Sequence, residues 1–195
     1  MKEIIVNSER FALFLSEEKI KRRVKELARQ INKDYRDRVP IFIGVLNGSF
    51  IFFADLIREI TIDCEVDFLK LSSYGDAKIS SGDVKVIKEL NCQVRDRDII
   101  VVEDVVDSGK SIDFMKKLIV KEQPKSFRVA ALLFKKEVAH IDFPIDYVGF
   151  TIPRDFVIGY GLDYGQKVRN LKSIYRLVEP RQTTKSGVKE YAWKK

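Results

Sequence analysis

Three short apolar runs constrain this chain more than any other feature: residues 41–46 (Ile-Phe-Ile-Gly-Val-Leu), 98–106 (Asp-Ile-Ile-Val-Val-Glu-Asp-Val-Val) and 127–134 (Phe-Arg-Val-Ala-Ala-Leu-Leu-Phe). Each is short for a helix and lacks the alternation of a strand with one wet face, so each predicts a strand covered on both sides. Residues 50–60 and 110–122 read as helices. Continuous strands alternating with helices predict an α/β fold, an open, mainly parallel twisted sheet flanked by helices. Further strands are expected at 65–72, 84–90 and 146–152. Residues 16–33 predict an amphipathic helix, because Ile20, Val24, Leu27, Ala28 and Ile31 recur at helical spacing. Ser16 is placed to cap it, with Glu17 and Glu18 in the first turn, where the helix dipole favours negative charge. Residues 74–82 are small and polar and predict a loop.

A chain of 195 residues suits one domain. The expected division is a single domain over 1–180 and a basic tail over 181–195, which has little periodicity and reads as peripheral. The net charge of +7 sits in two places: seven Lys/Arg against three Asp/Glu in 16–33, and five against two in 179–195. With the middle of the chain neutral, this charge reads as a solvated helix face and a tail; attraction of RNA or phosphate is the alternative. No run is long enough to span a membrane, and the apolar stretch 11–15 is too short for a signal sequence. Cys64 and Cys92 lack metal-type spacing and read as reduced thiols, as in a cytoplasmic protein.

The chemistry concentrates in Ile99-Ile-Val-Val-Glu-Asp-Val-Val-Asp-Ser-Gly-Lys-Ser111. A buried strand runs into two carboxylates, then into a glycine and hydroxyl loop at a helix start. In open parallel sheets ligands bind at the carboxyl ends of the strands. A short loop there can turn its backbone N–H groups inward and, with the helix N-terminus, cradle a phosphate. The end of the segment mimics a nucleotide-triphosphatase loop, but Asp104 stands where that motif needs glycine. Gly159-Tyr-Gly161 is followed by Gly165, one position too far for a dinucleotide fingerprint. His140 is the only histidine, which removes His-dependent nucleophilic schemes and two-His metal sites. It falls in a polar connection and reads as a surface residue.

This segment resembles the PRPP-binding signature of the type I phosphoribosyltransferases, and residues 4–178 resemble the hypoxanthine-guanine branch of that family. The resemblance implies that family's fold, with a small hood over about 153–178 and a mobile loop over about 74–82. It implies that Glu103 and Asp104 face the ribose hydroxyls and a Mg²⁺ ion, and that Asp107, Ser108, Gly109, Lys110 and Ser111 hold the 5-phosphate. Phe156-Val-Ile-Gly-Tyr-Gly-Leu-Asp-Tyr164 resembles the purine-recognition segment. There Phe156 stacks on the base, the Val157 backbone reads its edge, and Asp163 sits near the metal and pyrophosphate. Leu133-Phe-Lys-Lys136 matches the strand end that gives a lysine to purine O6, a role that falls on Lys135 and leaves Lys136 to solvent. Ser73 and Tyr74, followed by Ser81-Gly-Asp83, match the loop that closes over the reacting centre. Arg169 matches an arginine on pyrophosphate. Leu46, Asn47 and Gly48 match the pyrophosphate loop, where family members can carry a non-proline cis peptide.

The resemblance further implies transfer of the phosphoribosyl group from PRPP to N9 of a 6-oxopurine. Asp107 serves as general base, Mg²⁺ as cofactor, and the chain forms a homodimer or homotetramer without a membrane or nucleic-acid partner. A nucleotide-sensing regulator and a phosphoribosyltransferase for xanthine or another base are the rival readings; the clamp at Phe156 and Lys135, with no added DNA-binding domain, weighs against the first. One position departs from many relatives: Asn47 stands where they carry Lys or Arg. Asn47→Lys is expected to tighten PRPP, with a gain that shrinks as salt rises, measured as KM for PRPP across a salt series.

Overall fold

The structure is a computed structural model that describes residues 2–73, 84–178 and 189–191. The chain opens with the antiparallel pair β1 (Glu3–Val6) and β2 (Glu9–Leu15), followed by α1 (Glu17–Asp34). Next come β3 (Ile41–Leu46), α2 (Phe50–Glu59), β4 (Glu65–Ser73), β5 (Val84–Lys88), β6 (Asp98–Val106) and α3 (Lys110–Lys121). The last elements are β7 (Ser126–Phe134), β8 (Tyr147–Thr151), β9 (Val157–Ile158), β10 (Ile174–Leu177) and β11 (Lys189–Tyr191). They divide into two compact units, residues 23–154 and residues 1–22 with 155–195.

The larger unit carries a six-stranded sheet in the order β5-β4-β3-β6-β7-β8. All neighbouring pairs are parallel except β4 with β5. The predicted covered strands lie at its centre. Ile41, Phe42, Ile43 and Ile99 to Val102 are all fully excluded from water, successive residues facing opposite sides. Each such side chain contributes about 1.5–3 kcal/mol through burial. One side packs Ile41, Ile43, Ile99, Val101, Val129 and Ala131 against Ile112, Met115 and Ile119 of α3. Gly44 interrupts the apolar run of β3 for a packing reason. A Cβ there would press on the Phe53 and Phe68 rings, whose centroids lie 4.8 Å apart.

Helix α1 has the expected apolar stripe, with Ile20, Val24, Leu27, Ala28 and Ile31 buried, and the Lys19 amide donates to Ser16 Oγ at 3.3 Å. Among the described residues no helix is long and apolar enough to cross a membrane. Both cysteines are free thiols, as expected.

The smaller unit is a five-stranded sheet in the order β11-β1-β2-β10-β9, with Ile4, Val6, Phe11, Ile158, Val168 and Tyr175 as its core. Two of its strands were not anticipated in the sequence: the stretch 11–15 ends β2, and Lys189–Tyr191 of the basic tail pair in parallel with β1. An edge strand presents unpaired backbone groups that any extended segment can satisfy, so the pairing needs no side-chain periodicity. The rest of the tail, and the loop expected over 74–82, lie outside the described residues.

Asp67 is the buried polar group that ties the sheet edge together. One carboxylate oxygen accepts from the Asn91 and Cys92 amides at 2.6 and 2.9 Å, the other from the Phe68 amide at 2.7 Å and from Lys88 Nζ at 3.2 Å. Burial alone would raise its pKa, but the Cys92, Phe68 and Asn91 amides and the Lys88 ammonium together hold it at about 2, against an ordinary 3.8. A carboxyl acidified by folding contributes stability above its unfolded pKa and loses it as pH falls through the folded value. Asp67→Asn is therefore expected to cost about 2 kcal/mol near neutral pH. Thermal unfolding across pH checks this: the gap between the proteins should close as pH falls from about 4 to 2.

Candidate active site

Most of the functional side chains expected from the sequence fall on the carboxyl ends of β3, β6 and β7 and on the loop into α3, within the larger unit. Strand β6 is apolar from Ile99 to Val102 and turns acidic where its pairing with β3 ends. Glu103 is still buried, and Asp104 is half-buried, accepting from the Val105 amide at 2.9 Å. Burial first, and the neighbouring Asp104 charge second, push the Glu103 carboxyl well above the usual range. Its Oε2 has no hydrogen-bond partner among the described residues. Such an acceptor is costly to leave unmade, so it marks where a cation or a ligand hydroxyl belongs.

The β3 end meets these acids directly. The Leu46–Asn47 peptide is cis, as family members can have it, and Gly48 lies against Asp104. A Cβ on Gly48 would overlap the Asp104 carboxylate, so only glycine lets this loop and the paired acids share the space. Asn47 is exposed and Leu46 half-buried.

Beyond Val106 the chain turns through Asp107 and Ser108 to Gly109, which has φ +86° and precedes α3. That backbone suits glycine, and a Cβ would also strike Ile141. The first helical bond runs from the Asp113 amide to the Gly109 carbonyl at 2.9 Å, so the amides of Lys110, Ser111 and Ile112 stay outside the helical ladder. Ser111 and Ile112 line a pocket together with Glu103, Val105, Val106, Asp107, Ser108 and Gly109. The His140 amide braces the turn by donating to the Ser108 carbonyl at 3.0 Å, while the histidine itself is exposed, as expected.

Strand β7 brings up Lys135, which is 8% exposed, whereas Lys136 faces solvent. The Lys135 amide donates to the Val106 carbonyl at 3.0 Å, and its ammonium reaches Asp107 Oδ2 at 2.7 Å. This contact between the expected O6 ligand and the expected base spans 28 residues, and nothing local in the sequence signals it.

Phe156, Val157, Asp163 and Arg169 belong to the smaller unit. Phe156 is 45% exposed and Val157 is buried in β9. Arg169 pairs with Asp163 at 2.9 Å and donates to the Gly161 carbonyl at 2.9 Å, and Asp163 also accepts from the Gln166 amide. The residues expected on metal and on pyrophosphate thus hold each other. Tyr74 lies outside the described residues, and of Ser73 only the backbone, ending β4, is described.

A metal fits the acids without a complete protein cage. Among the described residues no three His, Cys, Asp or Glu side chains converge, yet Mg²⁺ takes one or two carboxylates and completes its shell with water and substrate phosphates. Glu103 and Asp104 offer the oxygen donors, one of them an unpartnered buried oxygen.

A phosphate cradle beside paired acids at the strand ends of an α/β sheet defines the class, and the chain belongs to the phosphoribosyltransferase family: the phosphoribosyl transferase domain matches residues 14–165. It is 43% identical over 162 residues to the hypoxanthine-guanine phosphoribosyltransferase of Bacillus subtilis, covering 83% of this chain and 90% of that one. It is 40% identical to the bifunctional protein TilS/HprT of Listeria monocytogenes, matching 83% of this chain and spanning 25% of that protein's length. A crystal structure of a hypoxanthine-guanine phosphoribosyltransferase from Bacillus anthracis superposes with a TM-score of 0.80 at 42% identity, covering 85% of this chain and 98% of that one. The fold is that of the type I phosphoribosyltransferases.

Gly48→Ala tests the shared space at the acids. It is expected to raise KM for PRPP about tenfold, equivalent to roughly 1.4 kcal/mol, while KM for the acceptor base changes by less than about twofold. Steady-state kinetics with each substrate varied in turn check it.

Proposed function

We propose that the chain transfers the 5-phosphoribosyl group of PRPP to N9 of a 6-oxopurine, hypoxanthine or guanine, giving IMP or GMP and pyrophosphate in purine salvage. The observation that carries this reading is the Lys135–Asp107 pair, an ammonium and a carboxylate 2.7 Å apart beside the phosphate pocket. Side by side they present a donor and an acceptor. A 6-oxopurine offers the complement on one edge, a carbonyl at O6 and, in the N7-protonated tautomer, a proton at N7. Adenine meets the ammonium with a second donor, and a buried donor left unpaired is penalised heavily.

The remaining roles follow from the pocket. The amides after Gly109, with the Ser108 and Ser111 hydroxyls, take the 5-phosphate, and the positive end of α3 favours its charge. Lys110 adds a cation at the same helix start. Glu103 and Asp104 accept from the ribose hydroxyls and hold Mg²⁺, which when bound neutralises the leaving pyrophosphate. Leu46, Asn47 and Gly48 offer backbone to that pyrophosphate. The C1–O bond to pyrophosphate breaks as N9 bonds to C1 with inversion, and the N7 proton passes to Asp107 as general base. Lys135 holds O6 so that N9 faces C1. Phe156 stacks on the base, Val157 reads its edge, and Arg169 and Asp163 act toward pyrophosphate and metal; these four assignments are supported by the family resemblance. The free thiols suit a cytoplasmic enzyme, and the homodimer or homotetramer is supported by the family resemblance.

Initial rates with PRPP, Mg²⁺ and a panel of hypoxanthine, guanine, xanthine and adenine test the reading, which fails if adenine is used as well as hypoxanthine. Lys135→Ala is expected to cost about 1.5–3 kcal/mol with hypoxanthine, roughly ten- to two-hundred-fold in kcat/KM. Solvent-facing Lys136→Ala is the matched control and is expected to stay within about twofold.

A further inference from the structure

The proposed reaction stacks the base on Phe156, and the smaller unit holds that ring in a way the family assignment does not cover. Phe156 leaves 45% of its surface open to solvent, yet it is not free to swing. Its carbonyl accepts from the Leu177 amide of β10 at 2.9 Å, which fixes the backbone. Its ring meets Tyr164 with centroids 5.6 Å apart and planes at 70°, and Phe11 at 6.2 Å and 54°. Those two rings also meet each other, at 6.1 Å and 59°. All three contacts fall within the spacing, and have the tilted or edge-on geometry, in which the positive edge of one ring attracts the negative face of another.

The two supporting rings are themselves anchored. Phe11 on β2 is fully buried in the core of the smaller unit with Ile4, Val6 and Ile158. Tyr164 packs against the same core, and Glu9 of the N-terminal hairpin, interacting with its hydroxyl, raises its pKa. Phe11 and Glu9 precede residue 14, where the match to the family domain begins.

We infer that Phe11 and Tyr164 are positioning residues for the purine: they fix the plane of Phe156 so that its open face meets the base already oriented. A solvent-exposed phenylalanine without such support gives up rotamer freedom when a ligand lands on it, and that loss is subtracted from affinity. Here the freedom is removed on folding instead. The N-terminal hairpin thereby takes part in base recognition without touching the base. This inference rests on the reading of Phe156 as the stacking ring.

Steady-state kinetics on the full-length chain separate the two. Tyr164→Leu is expected to raise KM for hypoxanthine by roughly two- to twelve-fold, the span of one aromatic contact. KM for PRPP should move by less than about twofold, because Tyr164 acts only through the base-stacking ring. Tyr164→Phe, which keeps the ring and releases the hydroxyl, should recover most of the loss, and Phe11→Leu should shift KM in the same direction as Tyr164→Leu. If both KM values rise together, or the thermal midpoint falls with KM for hypoxanthine unchanged, Phe11 and Tyr164 are ordinary packing and the inference is overturned. Phe156→Leu is the reference. If it raises KM for hypoxanthine while Tyr164→Leu does not, the positioning role alone falls; if it leaves KM unchanged, the stacking reading falls and takes the inference with it.

Discussion

Strand β6 is hydrogen-bonded to β3 along one edge and to β7 along the other, and its residues from Ile99 to Val102 exclude water on both faces. A carboxylate can enter such a strand only where the sheet ends, because an uncompensated charge deeper inside would cost several kcal/mol. The acids and the loop into α3 follow from this. Pairing of β6 with β3 ends at Val102, Glu103 and Asp104 come next, and pairing with β7 runs on to Val106 before the turn through Gly109. The parallel neighbours add Asn47–Gly48, just after β3 ends at Leu46, and Lys135, just after β7 ends at Phe134.

The electrostatics of the site divide along the same geometry. On the side of β3, Glu103 and Asp104 lie next to each other, and burial plus the Asp104 charge drives Glu103 toward its neutral form, with its Oε2 unpartnered among the described residues. On the side of β7, Asp107 has its own cation at 2.7 Å. One half is therefore prepared for a ligand that brings positive charge or hydroxyl donors, and the other for a ligand that inserts one donor and one acceptor. In the proposed function, a metal-bound phosphoribosyl donor and a 6-oxopurine match these halves in that order. The base would there replace a contact the protein already makes with itself, so an acceptor that cannot satisfy both the ammonium and the carboxylate would gain little from binding.

Much of the fold was legible because its signals are local. The covered strands 41–46 and 98–106 coincide with β3 and β6 to the residue, and the stripe of Ile20, Val24, Leu27, Ala28 and Ile31 gave α1 within one residue. The strands of the smaller unit were largely illegible. β1 has four residues, β9 two and β11 three, so none spans enough positions for a period to declare itself. The split that joins residues 1–22 to the segment from 155 onward is likewise a matter of pairing between distant strands, β2 with β10 above all.

At the site, the sequence by itself determined which groups are available: the paired acids, the glycine turn at a helix start, two adjacent lysines at a strand end and an aromatic segment near residue 156. These are patterns within a dozen residues, and short-range sterics and helix-terminus chemistry dictate their local shape wherever they occur. Only the tertiary structure decided which of them meet. It set Gly48 against Asp104 and Lys135 against Asp107. It closed the Gly109 turn with Ile141 and His140, and assembled Phe11, Phe156 and Tyr164 into one aromatic cluster. The reason is physical: each contact depends on sheet order and strand register, and those are settled by burying the whole core at once rather than by any segment's own preference.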